Sequence, residues 1–346
     1  MPEVVCLGEA LYVLTAEGGT AALGDATAFR PGAGGAEANV ACALAALGHP
    51  VRWVSRLGTD DLGDRLLALI SRHGVDVSRV TRDPRRPTGL YLRTAGRPAD
   101  GSGQRTAPRT AYYRAGSAAS AMSPGTVDAT AWAGARVLHL TGITAALSDG
   151  CLALLRRLTA PAPGRPLVSF DVNFRPALWR DRDPGVLLDL ARRCDLVFVG
   201  EDEAASAWGT TGGPRAVRAL LPEPAALVVK QDAAGATAFT AAGVEHRPAP
   251  AVEVTDPTGA GDAFAAGYLS ALLRGLPVAA RLRHGHLQAA AALTSPGDLA
   301  RRPAPWALAD GLCALGDDDW AALRLAPGWT TGGVPAPARP ADGEPS

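Results

Sequence analysis

Residues 252–269 (VEVTDPTGAGDAFAAGYL) constrain this chain more than any other stretch, because they join an extended segment to a helix through a glycine hinge. Val252 and Val254 read as a short strand, and the residues beyond Asp262 as a helix rich in small side chains. Between them stand Thr258, Gly259, Ala260, Gly261 and Asp262. Two glycines around an alanine let backbone N–H groups converge with no side chain in the way. The helix adds its own unpaired first-turn amides and the positive end of its dipole. Such a hinge is an anion site, and Asp262 sets a carboxylate beside it. A carboxylate there suits a base that takes a proton from a hydroxyl attacking a phosphate. A first-turn acid that merely complements the dipole would look the same, so the hinge alone leaves both readings open.

Strands and helices alternate along most of the chain, which predicts a parallel sheet covered on both faces. Residues 4–14 read as a central strand entering a turn at Gly18 and Gly19. A loop at 29–35 leads to a helix over 36–48 whose first turn carries Glu37 and Asn39. Its glycine-rich start is a second place for a ligand to approach backbone, or simply a tight packing site. Strands at 51–56 and 75–80 flank a helix at 61–72. The alternation then breaks. Residues 88–94 and 109–114 read as two strands joined by a long polar loop, 95–108, a hairpin inserted as a flap. Tyr91, Tyr112, Tyr113 and Arg114 lie on it, either gripping a polar ligand or packing across strands.

Strands resume at 136–142 and 167–172, around a helix at 149–158. The second ends in Asp171, Val172, Asn173, Phe174 and Arg175; polar residues at such strand ends meet ligands or only water. After a strand at 195–199, Glu201, Asp202 and Glu203 open a helix as dipole partners, one of them a candidate for metal-bound water. A strand at 225–230 ends in Lys230, the only lysine of the chain, and leads past Asp232 and Gly235 into another at 236–240. His284 and His286 lie two apart on a helix over 278–294, so they face different sides, and a solvated face is expected in place of a metal site. From about residue 326 the chain turns Pro-, Gly- and Ala-rich, which predicts a disordered tail over 326–346.

The 346 residues can form one large α/β domain or two smaller ones. No apolar run is long enough to cross a bilayer. The first residues lack a basic segment, and Glu9 interrupts their apolar run, so they read as a strand and not a signal peptide. A net charge of zero argues against nucleic-acid and membrane-surface roles. Five scattered cysteines without a CxxC read as reduced, structural thiols of a cytoplasmic protein.

The run Gly34, Gly35, Ala36, Glu37, Ala38, Asn39 and the run from Asp256 through Pro257 to Asp262, with a flap between them, resemble the two signatures of the PfkB/ribokinase family of carbohydrate kinases. The likeness covers the chain from about Val4 to the last helix. Within the family it is greatest to kinases of the sugar acid 2-keto-3-deoxygluconate, through Gly89 to Arg93, Tyr112 to Ala118, His139 to Ile143, Asp171 to Arg175, and Gly297 with Asp298. The resemblance implies a ribokinase-like α/β fold, three layers around a mostly parallel sheet, over residues 1–325. A small β-sheet lid would come from about 10–34 and 88–117. It implies ATP, Mg²⁺ held mainly by the phosphates, and Asp262 as base beside the amides of Gly259, Ala260 and Gly261.

By the same resemblance Gly34, Gly35, Asn39, Tyr91, Tyr112, Arg114, Arg175 and Asp298 would bind the sugar acid. Thr258, Lys230, Asp232 and Gly235 would lie along the nucleotide, with Asn173 and Glu203 near phosphates or metal-bound water. Two arginines suit a carboxylate substrate through charge-assisted hydrogen bonds. A monovalent cation belongs to the same implication, while a homo-oligomer, dimeric through the lid or higher, is expected because so small a sheet leaves an open edge and face. Two positions depart from the family pattern. Asp232 replaces the first glycine of a Lys-x-Gly-x-x-Gly loop, a change the left-handed region tolerates in Asp. Gly200 stands where an Asn commonly begins Asn-x-x-Glu. The alternatives are a kinase for a neutral sugar or nucleoside, and a silent sugar-binding regulator, which Asp232 favours and the intact hinge opposes.

Overall fold

The computed structural model describes residues 1–18, 22–94 and 109–332. Gly19, the flap connection at 95–108 and residues 333–346 of the expected tail lie outside the described residues. From the N-terminus come β1 (Val4–Leu7), β2 (Leu11–Ala16), β3 (Phe29–Gly34), α1 (Ala36–Ala46), β4 (Val51–Gly58), α2 (Asp61–Ser71) and β5 (Asp76–Asp83). β6 (Leu90–Arg93) and β7 (Thr110–Tyr113) precede β8 (Val137–Thr141), α3 (Gly142–Ala146), α4 (Asp149–Thr159) and β9 (Leu167–Asp171). Then follow α5 (Gly185–Ala191), β10 (Leu196–Gly200), α6 (Glu201–Trp208), α7 (Gly213–Leu220), β11 (Ala226–Lys230), β12 (Ala236–Thr240) and β13 (Gly243–Arg247). The rest is β14 (Ala251–Val252), α8 (Ala260–Leu273), α9 (Val278–Leu293), α10 (Trp306–Cys313), α11 (Asp317–Ala321), β15 (Arg324–Leu325) and α12 (Trp329–Gly332).

A nine-stranded sheet runs in the order β13-β12-β11-β10-β9-β8-β1-β4-β5. It is parallel except where β12 pairs antiparallel with β11 and β13. Its central strands are buried along their whole length because helices cover both faces. Alternate residues of β1 enter opposite cores: Val5 and Leu7 pack with Leu155 and Phe170, while Val4 and Cys6 pack with Trp53, Phe198 and Tyr268. The carboxyl ends of β9, β10 and β11 open at one edge of this body, beside the start of α8.

A separate four-stranded sheet, β3-β2-β6-β7, forms the lid. Its register sets Val13 opposite Tyr91, Thr15 opposite Arg93 and Tyr91 opposite Tyr112. Thr15, Tyr91, Arg93 and Tyr112 therefore share one face. Among the described residues no helix is long and apolar enough to cross a membrane.

Four expectations need correction. Residues 4–14 are two strands, one in each sheet. The break follows Gly8, where a Cβ would stand 2.1 Å from the Glu37 carboxyl carbon, so only glycine lets the chain pass that buried side chain. The expected loop at 29–35 is largely β3, an edge strand and so able to carry Pro31. His284 and His286 are buried, not solvated, because α9 packs between α8 and a C-terminal core. His286 Nε2 meets the Arg247 carbonyl at 3.0 Å, and His284 Nε2 lies 3.0 Å from Asp310. Residues 326–332 do not yet belong to a tail: Trp329 anchors them beside Trp320 and Leu325, a single aromatic that composition hides.

Candidate active site

Gly259 is the N-cap of α8 with φ 77°, a left-handed conformation that suits glycine. A Cβ there would stand 2.0 Å from the Asp298 carbonyl oxygen, so the hinge lies directly against the following turn. Ala263 N donates to Gly259 O at 2.9 Å, closing the first helical ring. The amides of Ala260, Gly261 and Asp262 precede that bond and have no acceptor within the helix.

Asp262 is buried at the mouth of this cradle. Asn39 Nδ2, from the first turn of α1, donates to its Oδ2 at 2.8 Å. Asn173 Nδ2, just past β9, donates to Oδ1 at 3.4 Å. Burial pushes the Asp262 carboxyl up from 3.8 to about 7; the Asn39 bond opposes this, nearby Asp171 adds to it, and Arg175 and Lys230 draw it back. A carboxyl near neutrality with fixed orientation is a competent general base.

A cleft opens from Asp262 along the hinge, bordered by Arg175, Glu203, Lys230 and Asp232. Lys230 Nζ meets both Asp171 oxygens at 2.9 and 3.1 Å. It would stand 3.5 Å from a Cβ on Gly261, placing its ammonium at the amide cradle. Burial alone would lower the Lys230 pKa, but the Asp171, Glu203 and Asp262 carboxylates together outweigh it and hold it raised. Glu203 caps its own helix, Oε2 accepting from Gly200 N at 2.9 Å, and its Oε1 accepts from Arg175 at 3.0 Å. Asp232 takes φ 48°, the left-handed conformation expected for it. Gly235 answers a different demand: a Cβ there would stand 2.2 Å from the Arg247 carbonyl, so β13 requires the glycine.

On the lid side Tyr91 donates its hydroxyl to Asp298 Oδ2 at 2.7 Å. A Cβ on Gly34 would stand 2.4 Å from that oxygen, and one on Gly35 2.4 Å from the Glu9 carbonyl. The Tyr112 ring lies 5.3 Å from that of Tyr91 and is 55% exposed. Arg114 donates to the buried Glu9, whose other oxygen accepts from Ser117 at 2.8 Å. Arg114 Nε is buried and has no acceptor among the described residues.

Two expectations shift. Arg114 and Arg175, read as sharing one carboxylate, sit in separate clusters, Arg114 with Glu9 under the lid and Arg175 with Glu203 beside the hinge. Asn39, read as a sugar ligand, is bonded to Asp262. Glu9, Asp256 and Arg93, though named in the sequence, were given no site role there. A charged residue inside an apolar segment was the available signal for Glu9, and an arginine on an otherwise uncharged flap strand for Arg93.

A large, mostly parallel sheet between helices, with a smaller separate sheet beside it, is the ribokinase-like α/β fold. Residues 1–305 match the pfkB family carbohydrate kinase, and the chain belongs to that family. It is 33% identical to the 2-dehydro-3-deoxygluconokinase of Bacillus subtilis (strain 168) over 323 residues, 90% of this chain and 96% of the relative. The 2-dehydro-3-deoxygluconokinase of Thermoproteus tenax is 34% identical over 280 residues, 80% and 83% of the two chains. The crystal structure of the PfkB protein from Polaromonas sp. JS666 matches with TM-score 0.75 at 37% identity, covering 84% of this chain and 96% of its own. The chain is a carbohydrate kinase.

Proposed function

We propose that the enzyme transfers the γ-phosphoryl group of ATP to the terminal hydroxyl of 2-keto-3-deoxygluconate, giving the 6-phosphate. The observation that carries this reading is Asp262, a buried carboxylate shifted to about 7 at the mouth of an amide cradle. Asp262 takes the proton while the hydroxyl oxygen bonds to phosphorus and the bond to the leaving ADP oxygen breaks. The amides of Gly259, Ala260 and Gly261 meet the charge that gathers on the phosphoryl oxygens. Lys230 and Arg175 border the same path, with Thr258 and Asp232 farther along it. The cleft's carboxylates, Asp202, Glu203, Asp232 and Asp262, do not converge into a metal-holding group among the described residues, which suits a Mg²⁺ bound mainly by phosphates with Glu203 on its water.

Gly34, Gly35, Tyr91, Tyr112, Arg114 and Asp298 form the sugar side, with Arg175 toward the phosphoryl group. The spare Nε of Arg114 supports an acceptor there, and two relatives named as kinases of this acid support the choice of acid. A second reading, a neutral sugar, is favoured by Glu9, which already neutralises Arg114. A coupled ADP-release assay across both epimers of the keto-deoxy acid, fructose and ribose tests both; turnover of fructose or ribose with none of either acid rejects the acid substrate. Arg114→Ala should raise KM for the acid about ten-fold or more, the loss of a charged hydrogen bond of about 1.5–3 kcal/mol. Under the neutral-sugar reading that KM effect vanishes. Replacing K⁺ by choline in the same assay tests the monovalent cation, and sedimentation tests a dimer through the lid.

A further inference from the structure

Arg93 stands on the lid strand β6, yet its guanidinium is fully engaged in the hinge. It is 3% exposed. Nη2 donates to Asp256 Oδ2 at 2.5 Å, and Nη1 to Thr258 Oγ1 at 2.7 Å. Nε donates to Thr15 Oγ1 at 3.2 Å, and Nη1 lies 3.8 Å from Asp298 Oδ1. Asp256 in turn accepts from the Thr258 amide at 3.0 Å and the Gly297 amide at 3.1 Å. One fork therefore joins β2, β6, the strand-to-helix hinge and the turn that packs on Gly259. Burial would raise the Asp256 carboxyl, but the bonds from Arg93 and Thr258 hold it below its usual range. Without Arg93, two carboxylates, Asp256 and Asp298, would lie uncompensated beside the anion cradle.

We infer that Arg93 is a positioning residue: by clamping Asp256 and Thr258 it fixes where the amides of Gly259, Ala260 and Gly261 point, and it ties that setting to the lid. The inference rests on the reading of the hinge as the phosphoryl site. It predicts that losing Arg93 damages turnover more than sugar affinity, because the fork's two shortest bonds hold the hinge, while Asp298 on the sugar side lies 3.8 Å away. A planar guanidinium is required; a lysine ammonium cannot span Asp256 and Thr258 in the same fork.

The experiment uses the full chain with Arg93→Ala, Arg93→Lys and Asp262→Asn, measuring kcat and KM for sugar and ATP, with thermal midpoints as a folding check. Arg93→Ala should lose about a hundred-fold in kcat, comparable to one donor of an anion hole, with sugar KM changed far less. Millimolar guanidinium, far below denaturing concentration, should restore at least ten-fold of that loss and leave the wild type unchanged. Arg93→Lys, which keeps the charge and the fold, should stay at least ten-fold impaired and gain nothing from guanidinium. A kcat within two-fold of wild type in either folded variant, or an Arg93→Ala loss that guanidinium does not touch, overturns the inference. Should Arg93→Ala not fold, the kcat of Arg93→Lys decides alone. Turnover by Asp262→Asn within ten-fold of wild type would instead overturn the hinge reading, whatever Arg93 does.

Discussion

Replacing Asp262 with asparagine should lower kcat by about 10²–10⁴-fold or more while sugar binding changes little, because the proton acceptor is lost and the shape kept. The wild-type rate should fall about ten-fold per unit as pH drops below about 7, since only the ionised carboxylate accepts the proton. The same shift carries a stability sign. Its folded pKa lies above the unfolded value of 3.8, so between about 3.8 and 7 the unfolded chain has released a proton that the folded chain keeps. The unfolded state then binds fewer protons, and this group makes the fold less stable as pH rises through that window. An amide at position 262 removes that cost. It can still accept from Asn39, and it can donate to Asn173 Oδ1, which is buried without a partner. The variant should therefore be more stable than wild type at pH 8, by one to a few kcal/mol at most, about a few degrees in thermal midpoint. Its advantage should shrink toward pH 5. Melting curves at the two pH values with a coupled assay check both halves, and a variant that turns over within ten-fold of wild type removes Asp262 from the mechanism.

That double signature could not be read from residues 252–269 alone. The glycines and the small-residue helix announce the turn and the free amides, because backbone freedom and helix geometry are local properties. Whether Asp262 is a base or a dipole partner depends on Asn39, 223 positions away, and Asn173, 89 positions away, and on burial that only the assembled sheet creates. The alternation of strands and helices was legible for the same local reason, and so was the left-handed Asp232. Side-chain direction at strand ends was not. Arg114 and Arg175 look interchangeable in sequence, but one comes from the lid and the other from the end of β9, and each finds a different carboxylate, Glu9 or Glu203. The split of residues 4–14 between two sheets turns on Gly8 clearing Glu37, a contact across 29 positions that period-two patterning does not encode. Arg93, quoted only within the Gly89 to Arg93 likeness, was given no role because a lone arginine on a flap strand ordinarily reaches into water.

Gly259→Ala should be the most damaging single methyl in the chain, and comparison with Gly261→Ala shows why. At Gly259 the φ of 77° costs a non-glycine residue roughly 1–2 kcal/mol. The new methyl would also stand 2.0 Å from the Asp298 carbonyl oxygen and 2.9 Å from its carbon. Backbone cannot swing aside like a side chain, so either the hinge or the turn at 295–298 must move. Each is a wall of the proposed site: the hinge carries the amides, and Asp298 carries the Tyr91 contact where the sugar is proposed to lie. Turnover should fall about 10²–10³-fold, the scale of losing anion-hole donors, with a raised sugar KM and a thermal midpoint several degrees lower. Gly261 has no positive φ and lies in the first turn of α8, where alanine is favourable. Its methyl would meet only Lys230 Nζ at 3.5 Å, an ordinary contact. Gly261→Ala should therefore keep the thermal midpoint but still lose turnover, because its methyl projects into the cleft that the phosphoryl group would fill. Two variants that lose activity, one with the fold weakened and one without, separate hinge geometry from ligand clearance. Full activity in Gly261→Ala would move the phosphoryl group away from this helix start, and full activity in Gly259→Ala would show that the Asp298 turn gives way without disturbing the amides.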